Sequence, residues 1–348
     1  MQSLDTLYRH HLETKNQWMI GLLEGIGFSH LCRKILPSPL KNGFRNRAKF
    51  RVFRDKKVLS VEGTDPLDGS VEFEKSLWIL PDWSQKVIRD LVAFVQKNSE
   101  DFLADGFEIQ LAHGQKNVHT TFSVNRSITA SYQDLAAKVL AEIPGVVGVA
   151  IPSQNLEVGE TFLVHTIGDK NFRAHYDSFF QSNLYLTPDL VAHVDRMCKE
   201  TAIREIIDLF CGVGLLSLST AKKNTPIVGI DTNRMAIASA QFNADAMGFC
   251  SAKYFISPAE RFVKHAEIGT KSSVFINPPR SGCTLSVING ITSQSVEHII
   301  IVSCSLKTHI LDLAEWDKKG YEIVSLKAFD MFPFTDFLET VTELRIKR

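Results

Sequence analysis

No two cysteines of this 348-residue chain form a C-x-x-C pair, and the six present, Cys32, Cys198, Cys211, Cys250, Cys283 and Cys304, follow no regular spacing. That argues against a zinc site and a disulfide framework and leaves free thiols as the expectation. Net charge is missing too: 39 basic residues face 39 acidic ones. A globally basic nucleic-acid binder is thereby excluded, while a local basic patch is not. No apolar run is long enough to span a membrane, and the opening stretch MQSLDTLYRHHLETKNQ is polar and mixed in charge. A cytoplasmic protein without membrane attachment is expected. Low-complexity segments are also lacking, and 44% hydrophobic with 22% charged residues is ordinary for a folded chain of one or two domains.

What is present divides the chain in two. Residues 4–26 read as a helix with apolar positions at Leu7, Leu12, Trp18, Leu22 and Leu23. After a loop holding Pro37 and Pro39 comes GFRNRAKFRVF, residues 43–53, in which Arg45, Arg47, Lys49 and Arg51 fall on alternate residues, with Phe44, Ala48, Phe50 and Val52 as the apolar set between and around them. Strand side chains alternate faces, so the four cations share one side. Residues 31–60 hold ten Lys or Arg against one acid, Asp55, which favours a polyanion such as RNA over a merely solvated face. From 60 to 167 the pattern is mixed α+β. Helices are expected at 82–97 and 131–142, and strands at 106–112, 120–124, 146–151 and 161–167.

From about residue 177 strands alternate with helices, which predicts a mostly parallel sheet. Thr187 is expected to cap a helix led by Pro188. IREIIDLFCGVGLLSLSTA, 203–221, reads as strand, glycine turn and helix, with Gly212 and Gly214 in the turn. A second strand ends in Asp231, an acid placed to take the two hydroxyls of a ribose. The third glycine of the dinucleotide fingerprint is replaced by Ser217. A ligand without a pyrophosphate fits that gap, and S-adenosylmethionine is such a ligand; a tight turn with no ligand is the alternative. In SSVFINPPRSG, 272–282, the strand ends at Asn277, and Pro278 and Pro279 make a rigid exit or simply terminate the strand. HIIIVSCS, 298–305, reads as a strand buried on both faces, followed at once by Cys304, either a reactive thiol or an inert buried one. The C-terminal tail reads as two strands joined by a loop around Pro333.

Gly212, Gly214, Asp231, Asn277 and Cys304 thus follow the ends of four successive strands, and a parallel sheet puts them along one edge. If the last strand is antiparallel, its first residues bring Glu339 to the same edge.

With these residues in view, the sequence resembles the uracil-5 RNA methyltransferase family, nearest its 23S rRNA branch. The resemblance is carried by SFFQSN (178–183), DLFCGVG (208–214), NPPRSG (277–282), VSCS (302–305) and FDMFPFTDFLE (329–339), with FRNRAKFRV (44–52) similar to the opening of the family's RNA-binding domain. It implies that Gln181, Phe210, Asp231 and Asn277 contact S-adenosylmethionine, that Cys304 is the nucleophile and that Glu339 is the general base. It also implies an α/β fold: a Rossmann-like, class I S-adenosylmethionine-dependent methyltransferase domain over 177–348, an N-terminal α+β RNA-binding domain over 44–176, and a helical segment over 1–43. Relatives on this branch often carry an iron-sulfur cluster on four N-terminal cysteines; Cys32 alone precedes Cys198, so no cluster is expected, nor the β-barrel module of other members. The expected partner is rRNA, with the tRNA T-loop as runner-up, and the protein itself is expected to be a monomer. Three rivals stand beside this reading: an amino-group methyltransferase using NPP, an idle RNA-binding relative, and, from the glycine turn alone, an NAD-linked oxidoreductase.

Overall fold

The computed structural model describes residues 3–31, 34–55, 58–65, 69–98, 106–114, 117–124, 131–201 and 203–347; Cys32 lies outside them. Helix α1 (Leu4–Glu24) opens the chain, its N-terminus capped by Ser3, whose side chain accepts the Thr6 amide. Its core-facing residues are Tyr8, Lys15, Met19 and Leu23, whereas Leu7 is exposed. The expected apolar stripe therefore shifts to include a buried lysine.

The first sheet follows, built from β1 (Arg47–Asp55), β2 (Val58–Asp65), β3 (Gly69–Glu72), β4 (Gly106–His113), β5 (Val118–Val124), β6 (Val146–Ile151) and β7 (Leu156–Gly159), in the order β3-β2-β1-β4-β5-β6-β7. A short helix α2 (Phe73–Ser76) leads to α3 (Asp82–Lys97), and α4 (Tyr132–Glu142) precedes β6. Helix α3 places Val87, Ile88, Leu91, Val92 and Val95 on one face, at the spacing a helix needs to cover a sheet. That face packs with Phe50 and Val52 of β1 and Ile109 and Leu111 of β4. The apolar half of β1's alternation is thus core.

A two-stranded hairpin, β8 (Phe162–Ile167) and β9 (Lys170–His175), comes next. Ile167, Phe172 and Ala174 pack into the core of the second half, and Asn243 bridges it by accepting the Arg173 amide at 2.8 Å.

The second half runs α5 (Thr187–Lys199), β10 (Glu205–Leu209), α6 (Leu215–Thr220), β11 (Ile227–Asp231), α7 (Arg234–Ala246), β12 (Ala252–Ile256), α8 (Ala259–His265), β13 (Ser272–Ile276), α9 (Leu285–Thr292), β14 (His298–Ser303), α10 (Leu306–Lys318), β15 (Tyr321–Phe329) and β16 (Glu339–Ile346). The sheet order is β12-β11-β10-β13-β14-β16-β15, parallel from β12 through β14, with β16 antiparallel to both its neighbours. The strands that carry the polar ends are neighbours in space but not successive in sequence, because β12 intervenes and takes the outer edge. Thr187 does not cap α5. Its hydroxyl donates to the Asn183 carbonyl at 2.7 Å, while Asn183 Oδ1 accepts the amides of Tyr185 and Leu186, a local turn that competes with capping.

Every residue of β14 is buried. Ile299 and Ile301 join one core layer and Ile300 and Val302 the other, which is why this strand reads as an unbroken apolar run. Met19 and Leu23 of α1 belong to the first of these layers. Burying each isoleucine contributes about 2 kcal/mol, so the strand beneath Cys304 is among the firmest supports in the molecule. Among the described residues, no helix is long and apolar enough to cross a membrane.

Candidate active site

The chain leaves β10 on one side to form β11 and β12, then returns to the other side as β13. A crevice opens at the carboxyl ends of strands where the order reverses in this way. Here it is a pocket of about 510 Å³, and Gln181, Phe210, Gly212, Asp231, Asn277, Cys304 and Glu339 all line it. All seven residues expected from the sequence for donor and chemistry meet there.

The turn after β10 is held by backbone conformation. Phe210, Gly212 and Gly214 have φ of 59°, 54° and 80°, in the left-handed region that costs a non-glycine residue about 1 kcal/mol. Phe210 bears that strain. At Gly214 an added Cβ would also meet Leu218 Cδ1 and Tyr254 Oη at 2.9 Å each. Gly214→Ala is therefore expected to destabilise the protein by about 2 kcal/mol or more, read as a lower urea midpoint at unchanged slope.

Asp231 ends β11 and is fixed from both sides: Oδ2 accepts the Gly212 amide and Oδ1 the Asn233 amide, each at 2.9 Å. A carboxylate has about four acceptor positions, so two remain for a ligand. Asn277 extends the β13 ladder by one bond, its amide donating to the Leu209 carbonyl at 3.2 Å. Gln181 is buried, and its carbonyl accepts from Asn46 Nδ2 at 2.9 Å, which ties the pocket wall to the first sheet.

Ser303 pairs with Thr340 across β14 and β16, so Cys304 and Glu339 are the next residues outward on neighbouring strands. Burial pushes the Cys304 thiol up to about 11, helped by the nearby Glu339 charge and opposed by Arg280. Burial alone pushes Glu339 up to about 8. Both groups hold their protons at neutral pH in the free protein, so a cation brought between them would favour ionisation of both.

Sequence reasoning missed Asp208 as a site residue. It lines the pocket, neither carboxylate oxygen makes a hydrogen bond of normal geometry, and burial pushes it up to about 7, the nearby Ser217 hydroxyl and backbone amide offsetting only part of that. The available signal was an acid inside the apolar run IIDLF. Arg280 also lines the pocket, with its guanidinium 4.1 Å from the centre of the Phe337 ring.

The basic strand serves partly as structure. Arg47 Nη2 donates to the carbonyls of Tyr176 (2.7 Å) and Ser178, holding the segment that leads into Gln181. Its burial lowers the guanidinium's proton affinity, which the nearby Asp177 partly restores. Lys49 and Arg51 meet Glu108 of β4 at 2.5 and 3.6 Å, so the acid missing nearby in sequence is supplied across the sheet. Arg45 bridges Asn183. Arg45, Arg47 and Lys49 line a groove of about 750 Å³ with Trp78, Tyr176 and Phe334, and Arg51 is not part of its lining. Among the described residues, no group of three or more His, Cys, Asp or Glu is placed to hold a metal ion.

A doubly wound, mostly parallel sheet with its pocket at the switch point, beside a separate, mostly antiparallel sheet, defines the Rossmann-like fold class of S-adenosylmethionine-dependent methyltransferases. Within that class, the chain belongs to the tRNA (uracil-5-)-methyltransferase family, whose model matches residues 7–347. It is 30% identical over 191 residues to an uncharacterized RNA methyltransferase of Halalkalibacterium halodurans, covering 54% of this chain and 42% of that protein. It is 34% identical over 167 residues to the 23S rRNA (uracil(747)-C(5))-methyltransferase RlmC of Vibrio cholerae, covering 48% of this chain and 44% of RlmC. The alignments thus span less than half of these curated relatives. The fold is similar to that of Pyrococcus abyssi tRNA (uracil-54, C5)-methyltransferase, solved with S-adenosyl-L-homocysteine, at a TM-score of 0.76 and 22% identity, covering 97% of this chain and 83% of that one.

Proposed function

We propose that this protein methylates carbon 5 of a uridine in RNA, with S-adenosylmethionine as donor and 23S rRNA as the first substrate to test. The observation that carries the reading is the meeting of Cys304 and Glu339, from adjacent strand ends, in the pocket that also holds Asp231 and Asn277. Family membership and the likeness to RlmC support it.

The pocket's residues suit that donor. Asp231 keeps acceptor capacity for a ribose diol, Phe210 and Phe179 offer aromatic surface for a base, and the unpartnered Asp208 carboxylate suits an ammonium. Gln181 and Asn277 add amides along the same wall. The bound donor supplies an electrophilic methyl group on a sulfonium. Asp231→Asn is expected to weaken donor binding about 10- to 100-fold, measured by calorimetry, since a charged acceptor becomes a neutral one.

Carbon 5 of uracil is a weak nucleophile, and covalent activation overcomes this. The Cys304 thiolate adds to carbon 6, and the electron pair of the 5,6 double bond moves into an enolate. Carbon 5 then takes the methyl group as the sulfur–methyl bond breaks, its electron pair staying on the sulfur so that S-adenosylhomocysteine is left. Glu339, as carboxylate, removes the carbon 5 proton, and the returning electron pair expels the Cys304 thiolate, restoring the double bond. The target base must leave its stack to reach both groups. Arg45, Arg47, Lys49 and Arg51 are proposed to hold flanking phosphates, in addition to the contacts they make within the protein.

The test is incubation with S-adenosylmethionine and RNA carrying 5-fluorouridine, which has no removable proton at carbon 5. A protein–RNA adduct stable to denaturant and mapping to Cys304 is expected. Methyl transfer to ordinary RNA without such an adduct sinks the scheme. Mapping 5-methyluridine in 23S rRNA and tRNA from cells with and without the gene decides the substrate.

A further inference from the structure

Helix α1 turns a line of polar side chains toward the loop that leads into Glu339. Tyr8, His11 and Lys15 are spaced by three and four residues and so share one helical face. Tyr8 Oη donates to Asp330 Oδ2 at 2.7 Å, and His11 Nε2 donates to the Thr335 carbonyl at 3.1 Å. Lys15 Nζ donates to Asp330 Oδ1 at 2.6 Å, to the Phe332 carbonyl at 3.0 Å and to the Phe337 carbonyl at 2.9 Å. An ammonium has three protons, and all three are engaged.

The Lys15 and Asp330 side chains are 3% and 0% exposed. A buried ion pair of this kind returns little stability over an apolar replacement of the same shape. What it does impose is geometry. Lys15 fixes three points of the loop between β15 and β16, and the last of them, Phe337, stands two residues before Glu339. The Phe337 ring also carries the Arg280 guanidinium, which lines the pocket with Cys304. A continuous line of contacts therefore runs from α1 to the reacting groups, although the sequence separates Lys15 and Asp330 by 315 residues.

We propose that Lys15 is a positioning residue: by holding Asp330, Phe332 and Phe337 it sets where Glu339 stands relative to Cys304. The inference rests on the roles proposed for those two residues. Lys15 itself lines neither the pocket nor the groove. When it is lost, addition of the thiol and methylation continue while proton removal slows.

The experiment uses the full chain carrying Lys15→Met together with Asp330→Asn, so that no unpaired carboxylate is left buried. Expected are an affinity for S-adenosylmethionine within about threefold of wild type, a kcat at least about tenfold lower, and a covalent protein–RNA species that accumulates on RNA without fluorouridine. A purely structural role predicts less folded protein, normal turnover by the folded fraction, and no accumulation. If the double variant does not fold, Tyr8→Phe, which removes one hydrogen bond to Asp330, is expected to accumulate the same species in smaller amount. Wild-type kcat without accumulation in the folded double variant, or in Tyr8→Phe where that variant stands in for it, overturns the inference. If the wild type itself forms no adduct with 5-fluorouridine RNA, the roles of Cys304 and Glu339 fall first and this inference with them, so the two failures are distinguishable.

Discussion

Cys304→Ala is expected to lose RNA methylation by at least about 10⁴-fold in kcat while still binding S-adenosylmethionine, because covalent activation at carbon 6 has no substitute in the pocket. Cys304 stands just past a strand buried on both faces, and its side chain is only partly covered, so trimming it to alanine leaves β14 and the core layers intact. Tritium release from carbon 5 of labelled uridine should vanish together with methyl transfer. A Cys304→Ala protein that still methylates RNA would favour the amino-group rival. Loss of donor binding in the same variant would point to a structural thiol.

Glu339→Gln is expected to fail later in the cycle. The methylated adduct keeps its carbon 5 proton, elimination stalls, and RNA remains bonded to Cys304 as turnover falls about 10³-fold. The pH dependence has a definite sign. Burial raises the Glu339 carboxyl to about 8, so in the free protein the carboxylate form grows as pH rises toward that value. The wild-type turnover should therefore climb from pH 6 to 8, and Glu339→Gln should lose the part of that rise that Glu339 sets.

Stability moves the opposite way. A carboxyl whose folded pKa lies above its unfolded value of 4.5 contributes fully below that value and loses its contribution as pH rises through about 8. Glu339→Gln should accordingly be more stable than wild type by a few kcal/mol at pH 9, with little difference at pH 4. Thermal unfolding at the two pH values measures it. Asp208, also raised, is present in both proteins and does not disturb the comparison.

The site was legible in the sequence where local physics writes it plainly. Strands covered on both faces are largely apolar, so a polar or reactive residue that closes such a run marks the sheet edge. Asp231, Asn277 and Cys304 were found in this way, and Glu339 followed from the antiparallel return of the last strand. Asp208 escaped because it sits one residue before the end of its strand, with Ile207 and Leu209 on either side of it. The basic strand was legible as an alternation, but what each cation meets was not. Glu108 lies in a strand more than fifty residues away in sequence, and the carbonyls held by Arg47 belong to the segment before Gln181.

Local pattern alone therefore determined the strand ends, the glycine turn and the chemistry-bearing residue types, because backbone conformation and side-chain periodicity act over a few residues. Only the tertiary structure decided which charges are neutralised and which remain for a ligand. Lys15 reads in sequence as one more solvated residue on a mixed helix. It is buried because the fold sets Asp330 and two loop carbonyls around it, and a charge can leave water only where partners brought from elsewhere replace the water it loses.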